Sequence, residues 1–264
     1  MSTAPPVVLT IAGFDPSSGA GITADIKTIA AHRCYGVACI TALTVQSTQG
    51  VRRVQALPPK LVRDTLQELA ADLTFAAVKI GMLDSREVAE EVADFLQTHQ
   101  PPNVVLDPIL KSSSGADLLD PNAVAVLRDR LIPLATVITP NIDEAAKLTG
   151  LQVTNRSEMI AAAKALHLLG AQTVVITGGH LDPPMDLLST SGEMLELTGE
   201  HIASTSTHGT GCAFAAALAC HLASGSSVPN TVMQSKHYVA EAIRRAYPVG
   251  KGTGPLNHFW RANL

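Results

Sequence analysis

Short β-rich runs alternate with helix-patterned stretches along the whole chain, and few folds accommodate that order. Residues 7–12, 37–45, 76–80, 104–106, 136–139 and 173–177 read as strands. Between them, residues 20–33, 86–97, 123–131, 142–148 and 157–169 read as helices, and Leu61, Val62, Thr65, Leu66 and Leu69 recur at helical spacing. A polar section, 186–197, is expected to hold short antiparallel strands, and helices are expected over 212–223 and 231–247. This alternation specifies an α/β fold with a mostly parallel sheet covered on both faces. Ligands of such folds sit beyond the carboxyl ends of the strands. Gly13-Phe14-Asp15, Thr44-Val45-Gln46, Gly81-Met82, Asp107-Pro108, Pro140-Asn141 and Gly178-Gly179-His180 would gather along that edge.

Composition narrows the class. With 264 residues, 46% hydrophobic and 16% charged, one globular domain over residues 1–264 is expected. Aromatics supply only 3%, so the core must rest on Ala, Val, Leu and Ile. A net charge of −4 without runs of like charge argues against a nucleic-acid surface. Cys34, Cys39, Cys212 and Cys220 show neither a C-x-x-C pair nor a zinc spacing. Residues 1–6 lack the basic start and apolar core of a secretory signal, and His221 interrupts an alanine-rich run too short to span a bilayer. The default expectation is a cytoplasmic protein with reduced thiols and no membrane partner.

The stretch richest in chemistry is Ser206-Thr207-His208-Gly209-Thr210-Gly211-Cys212, which leads into an alanine-rich helical run. The first turn of a helix has N–H groups without intrahelical partners, and its dipole favours negative charge. Gly209, Thr210 and Gly211 would let an anion approach those groups closely. Cys212 in that turn is expected to have a depressed pKa and thiolate character. An anion hole beside a base suits phosphoryl transfer. The plainer reading is a glycine turn before a packed helix, with Cys212 a small core residue.

Other segments are weaker alone. Gly19-Ala20-Gly21-Ile22-Thr23-Ala24 matches a loose dinucleotide-binding pattern. However, five residues separate it from Gly13, and the second strand closes on Gln46 rather than an acid. A loop folding over a small ligand is the better reading, with Asp25 accepting hydrogen bonds from it or standing as a solvated helix residue. No G-x-x-x-x-G-K-[ST] segment is present. Asn141 and Glu144 share one helix face, where they could hold hydrated magnesium or simply cap the helix. Gln46 offers an amide edge suited to a heterocycle.

Together these segments resemble the ribokinase superfamily, and most closely its hydroxymethylpyrimidine and hydroxymethylpyrimidine-phosphate kinases of thiamin biosynthesis. The match runs through residues 10–22 with Ala24-Asp25, residues 46–51, Lys79-Ile80-Gly81-Met82-Leu83, Asp107-Pro108 and Thr139-Pro140-Asn141 with Glu144. It continues through Gly178-Gly179-His180, residues 207–212 and residues 249–255. The resemblance implies a three-layer α/β/α kinase using ATP and Mg2+, and a homodimer. It implies Cys212 as base, Gly209, Thr210 and Gly211 as anion hole, and Gly13, Asp25, Gln46 and Met82 around the pyrimidine. Asn141, Thr177 and Lys251 would then serve ATP, and Asn141 with Glu144 the magnesium.

Two positions depart from the family pattern. Ser113 and Thr177 stand where relatives usually have lysines that place charge near phosphates. Lys111 is on the same face as Ser113 if the chain there is extended, and could substitute. The activity implied is ATP-dependent phosphorylation of 4-amino-5-hydroxymethyl-2-methylpyrimidine, with phosphorylation of its monophosphate left open. A pyridoxal or pyridoxine kinase is the nearest alternative. A pyrimidine-binding regulatory protein, suggested by the missing lysines, is an alternative of another class.

Overall fold

A computed structural model describes residues 4–112, 115, 117–179, 181–190 and 192–262. Nine strands form one sheet, in the order β3-β2-β1-β4-β5-β6-β7-β8-β9. Six are parallel: β1 (Val7–Phe14), β2 (Tyr35–Ser47), β4 (Ala77–Ile80), β5 (Val104–Leu106), β6 (Val137–Ile138) and β7 (Thr173–Ile176). β3 (Gly50–Ala56) pairs antiparallel with β2 at one edge, and β8 (Met185–Thr190) and β9 (Glu193–Thr198) run antiparallel at the other. The α/β expectation therefore holds, including the antiparallel pair at 186–197.

Successive side chains on a strand face opposite sides, and the two faces bury different helices. Leu9, Ile11, Val78, Ile80, Val104, Leu106 and Ile138 join one core with α2 (Pro59–Asp72), α3 (Arg86–His99), α4 (Ala123–Val126), α5 (Ile142–Thr149) and α6 (Arg156–Leu168). Val8, Ala77, Val105, Val137 and Val175 join the other, with α1 (Gly21–Ala31), α7 (Thr210–Ala223) and α8 (Val228–Arg244). α7 can lie flat on the sheet because Ala213, Ala215, Ala216, Ala217 and Ala219 bring its backbone close.

Two expectations need correction. β3 was not expected: Arg52 and Arg53 break its apolar pattern, and its place comes from pairing with β2. The single helix expected at 123–131 is one α-turn, Ala123–Val126, that widens to a π-helical segment, Leu127–Leu131, before a 3₁₀ turn containing Pro133. Among the described residues no helix is long and apolar enough to cross a membrane.

The chain leaves β1 in one direction for β2 and returns to β4 on its other side. That reversal opens a crevice at the carboxyl ends of β1 and β4. The ladder register slips there, between Ala12 and Phe14 on β1 and between Val45 and Gln46 on β2. Such irregularities re-aim side chains, here beside Gly13 and Gln46.

Candidate active site

Strand parity gathers the ionisable groups on one face. Thr10, Lys79 and Asp107 each stand two residues after a residue of the α1/α7/α8 core, so they point toward that layer. The Lys79 side chain is wholly buried, and its Nζ lies 2.9 Å from Oδ2 of Asp25, equally buried on α1. Thr10 Oγ1 donates to the same oxygen at 2.6 Å. Asp25 is thus not a solvated helix residue. It is the counter-ion that lets a charged lysine occupy a buried strand.

Helix α7 packs on β4 and α1, the elements that carry this pair. Gly209 caps it with φ of 81°, a left-handed conformation. A Cβ there would fall 1.9 Å from the carbonyl oxygen of Gly19. The anion-hole turn is therefore pressed against the loop that follows β1. Thr210 Oγ1 donates to the Thr207 carbonyl. A Cβ on Gly211 would stand 3.8 Å from Asp107 Oδ2, a buried oxygen without a hydrogen-bond partner among the described residues.

Cys212, in the first turn of α7, is 7% exposed. Its expected pKa depression is reversed. Burial pushes the thiol up to about 12, Lys79 and the Gly21 N–H oppose that, and Asp25 and Asp107 reinforce it. Loss of water outweighs the helix dipole. Asp107 is raised to about 6, again by burial, opposed by Lys79 and reinforced by Asp25.

Asp15 organises the loop between β1 and α1. Its carboxylate accepts from the N–H and Oγ of Ser17 at 2.8 and 2.7 Å, and from the N–H groups of Gly19 and Ala20 at 3.1 and 2.9 Å. His208 Nε2 approaches it at 2.8 Å. Burial alone would raise the Asp15 pKa, but the bonds from His208 and Ser17 leave it lowered, so Asp15 is an anion. Its partner Nε2 then carries the proton. The Gln46 amide lies 3.0 Å from the same Nε2 and 3.2 Å from Thr44 Oγ1, which donates to the Phe14 carbonyl. The amide stands with its nitrogen toward His208 and its oxygen toward Thr44. Because a protonated Nε2 cannot accept from that nitrogen, donor counting turns the amide over, oxygen to His208 and nitrogen to Thr44, which leaves one amide N–H for another acceptor. Gly13 and Met82 meet across the crevice: a Cβ on Gly13 would lie 2.8 Å from Met82 Sδ.

Farther along the edge, Asn141 and Glu144 form the capping box of α5. Asn141 Oδ1 accepts from the Glu144 N–H, and Glu144 Oε2 accepts from the Asn141 N–H, both at 2.9 Å. The plainer reading of this pair is realised. Yet Glu144 is 7% exposed, and burial raises its pKa to about 8, with Asp107 adding to it and the Asn141 N–H opposing. Thr177 pairs beside Asn141, its N–H donating to Pro140.

Lys251 is not brought to Thr177. Its backbone N–H reaches Thr48 Oγ1 at the β2–β3 turn, and β2 lies five positions from β7 in the sheet. Lys111 is 60% exposed and lies 4.0 Å from Asp117. Ser113 and His180 lie outside the described residues. Sequence reasoning assigned no role to Lys79, Asp107, Asp15 or His208. A signal existed for two of them: a lysine inside Ala77-Val78-Lys79-Ile80 demands a buried anion, and Asp15 precedes a run of small residues with free N–H groups.

The sequence profile of the phosphomethylpyrimidine kinase family matches residues 15–257. The chain belongs to this family. It is 43% identical to the hydroxymethylpyrimidine/phosphomethylpyrimidine kinase of Streptomyces coelicolor, over 97% of this chain and 95% of that one. It is 42% identical to the Geobacter sulfurreducens thiamine biosynthesis bifunctional protein ThiED over 97% of its own length, and spans 52% of that longer protein. Among solved structures, Bacillus subtilis pyridoxal kinase with ADP superposes with a TM-score of 0.91 and 35% identity, covering 98% of this chain and all of that one. Phosphomethylpyrimidine kinase from Clostridium difficile 630 gives 0.81 and 38%, covering 90% and 99%. The resemblance read from the motifs, and the three-layer fold it implied, hold for this family member.

Proposed function

We propose that this chain transfers the γ-phosphoryl group of ATP to the hydroxymethyl group of 4-amino-5-hydroxymethyl-2-methylpyrimidine and then to the monophosphate. These are the two compounds in the names of the relatives from Streptomyces coelicolor and Escherichia coli, hydroxymethylpyrimidine and phosphomethylpyrimidine. The observation that carries this reading is the first turn of α7. Gly209 holds that turn against the β1–α1 loop, and Cys212 sits within it. Gly13 and Met82, already in contact with each other, form one wall against the pyrimidine, and the spare Gln46 N–H binds its ring edge. The thiolate form of Cys212, a minor form given its raised pKa, accepts the hydroxyl proton while the Gly211 and Cys212 N–H groups stabilise the transferring phosphoryl group.

Magnesium fits the far side of this site. Glu144 is a buried carboxyl whose pKa is raised partly by Asp107, an excess of negative charge that a divalent cation would offset. Glu144 with Asn141 would hold the hydrated ion, which when bound neutralises charge on the phosphates. Thr177, next to Asn141, serves the nucleotide.

The high TM-score against a pyridoxal kinase favours a second reading, in which pyridoxal is the acceptor. One assay separates them: turnover with the pyrimidine alcohol, its monophosphate and pyridoxal, with product masses determined. The proposal expects the highest kcat/KM with the pyrimidine alcohol, because Thr177, and Ser113 by its place in the sequence motif, carry no charge where family members usually have lysine to offset a second phosphate. A preference for pyridoxal would replace the first reading with the second.

A further inference from the structure

Helices α1 and α7 frame the crevice with their first turns and end together at the opposite edge of the sheet, where a second cavity lies. Its volume is about 270 Å³, and it is lined by His32 and Arg33 after α1, by Cys220, His221 and Ser224 around the end of α7, and by Arg261 beyond α8. His221 stands roughly 13 Å along α7 from Cys212. Among the described residues no carboxylate lines this cavity, although the chain carries a net charge of −4.

Arg33 occupies its place under strain. The two helices close in the same way. The N–H of Arg33 donates to the Ala30 carbonyl and that of Cys34 to Ile29, just as Gly225 donates to Leu222 and Ser226 to His221. The turn residue is left-handed in both, with φ of 59° at Arg33 and 79° at Gly225. Glycine adopts that conformation freely, and arginine does not. Backbone donors already meet the Thr28, Ile29 and Ala30 carbonyls, so α1 does not need the guanidinium as a cap. Neither Arg33 nor Arg261 has a hydrogen-bond or carboxylate partner among the described residues. Arg261 rests over the rings of Tyr238 and Trp260, 5.4 and 5.0 Å from their centroids.

The histidines impose the opposite requirement. His32 Nδ1–H donates to the Thr28 carbonyl at 2.8 Å. Burial lowers the pKa of His32 and of His221, the latter to about 4, and the charge of Arg261 adds to both, so the rings are neutral at pH 7. His32 Nε2 is then a bare acceptor, buried and without a partner among the described residues, and His221 Nε2 is buried and unpartnered as well. A ligand that satisfies the whole cavity brings negative charge for the arginines and a proton for a ring nitrogen. We propose that this cavity binds a small oxyanion that keeps a proton at neutral pH, of which inorganic phosphate is the simplest, held by Arg33 and Arg261 and donating its P–O–H to His32. The carboxyl-terminal ends of α1 and α7 oppose an anion with about half a charge each, and two whole guanidinium charges outweigh them. The volume lies just below the range of sites for larger ligands, which suits a small anion.

Trp260 is the chain's single tryptophan and lies against Arg261, so its fluorescence reports on this end of the molecule rather than on the first turn of α7. Titration of the full chain with inorganic phosphate at pH 7, at ionic strength held constant with sodium chloride, is expected to give a saturable change. Arg33→Gly removes one guanidinium and relieves the left-handed strain. It is expected to fold at least as stably as the wild type and to bind phosphate about tenfold more weakly or worse. Phosphate should also raise the Tm of the wild type more than that of Arg33→Gly. No saturable response, unchanged affinity in Arg33→Gly, or an equal rise of Tm in both proteins overturns the proposal. Sulfate is an anion of similar size with no proton to donate at pH 7, and weaker binding of sulfate is expected. Equal affinity for sulfate overturns the requirement for a proton, and with it the choice of ligand.

Discussion

Helix α7 carries a buried cysteine near each end, and the two ends differ in what surrounds the sulfur. Cys212, in the first turn, shares its burial with Lys79, Asp25 and Asp107 and is met by the Gly21 N–H. Cys220, in the last turn, faces Cys34, whose hydrogen bond together with burial drives its pKa well up. Beside it the rings of His32 and His221 meet at 5.0 Å, bordering a cavity of about 270 Å³ that Arg33 and Arg261 also line. The helix dipole favours negative charge at the first end and opposes it at the second. Residue type and burial are the same at both ends. Under the proposed assignment, what sets the first sulfur apart from the second is its charged neighbours and its place at the helix N-terminus.

The comparison breaks most directly by deleting each sulfur. Cys212→Ala is expected to lower kcat ~100- to 10,000-fold, the usual cost of losing a general base, with pyrimidine binding changed only a few-fold. Cys220→Ala should leave kcat within a few-fold of wild type. Steady-state kinetics and calorimetry on both variants check this, and comparable losses of kcat would erase the distinction between the two ends.

The next largest effect concerns the backbone around the first end. In Gly209→Ala, the new methyl group cannot stay 1.9 Å from the Gly19 carbonyl, so the turn or the loop must move. Misplacing one backbone donor of an anion hole costs ~100-fold or more in kcat. We expect a loss of that order with a smaller change in KM for the pyrimidine. An unchanged kcat would mean that contact with the β1–α1 loop does not set the geometry of the hole.

How much of this was legible beforehand divides along the same line. The alternation of strands and helices and the turn that opens α7 are local patterns, and both are present in the structure. What sequence could not supply was the environment of each group. Cys212 reads as an activated thiol from its place on a helix, but its pKa depends on water excluded by α1 and the sheet. Asp25 reads as a solvated or ligand-facing residue because its partner Lys79 is 54 residues away. Gln46 reads as free, although His208 and Thr44 already hold most of its amide. β3 was invisible because its stability comes from pairing, not from an apolar face.

Opposite pH dependences sharpen the contrast further. At the site end, Glu144 titrates near 8 in the folded chain, above its ordinary value of 4.5. The folded state holds that proton more tightly, so stability is highest where Glu144 is protonated and falls as pH rises from 4.5 toward 8. At the far end burial, with His32 adding, lowers His221 to about 4 from 6.5. Its contribution is intact above 6.5 and is lost as pH falls toward 4. Each slope is at most about 1.4 kcal/mol per pH unit. In chelator-treated protein, Tm should therefore decline between pH 6.5 and 8. Glu144→Gln should flatten that decline, since an amide oxygen can still accept from the Asn141 N–H, and added magnesium should oppose it. His221→Gln should change only the acid limb. A Tm rising across pH 6.5 to 8 in the wild type would contradict the placement of an uncompensated carboxyl at the site.

The smallest effect is expected from the glycine that closes α7. Gly225 has φ of 79°, nearly that of Gly209, and its N–H donates to the Leu222 carbonyl. A Cβ on Gly225, however, meets nothing within 4 Å. Both substitutions to alanine carry the same left-handed penalty, roughly 1–2 kcal/mol. Only Gly209→Ala adds a collision with the wall of the site. Gly225→Ala should therefore lower stability by about 1 kcal/mol in urea unfolding and leave kcat and KM unchanged. Subtracting its stability loss from that of Gly209→Ala isolates the cost of the contact with Gly19, separate from backbone strain. If Gly225→Ala also reduced kcat, the two ends of α7 would be mechanically coupled, and the activity lost in Gly209→Ala could no longer be assigned to the first turn alone.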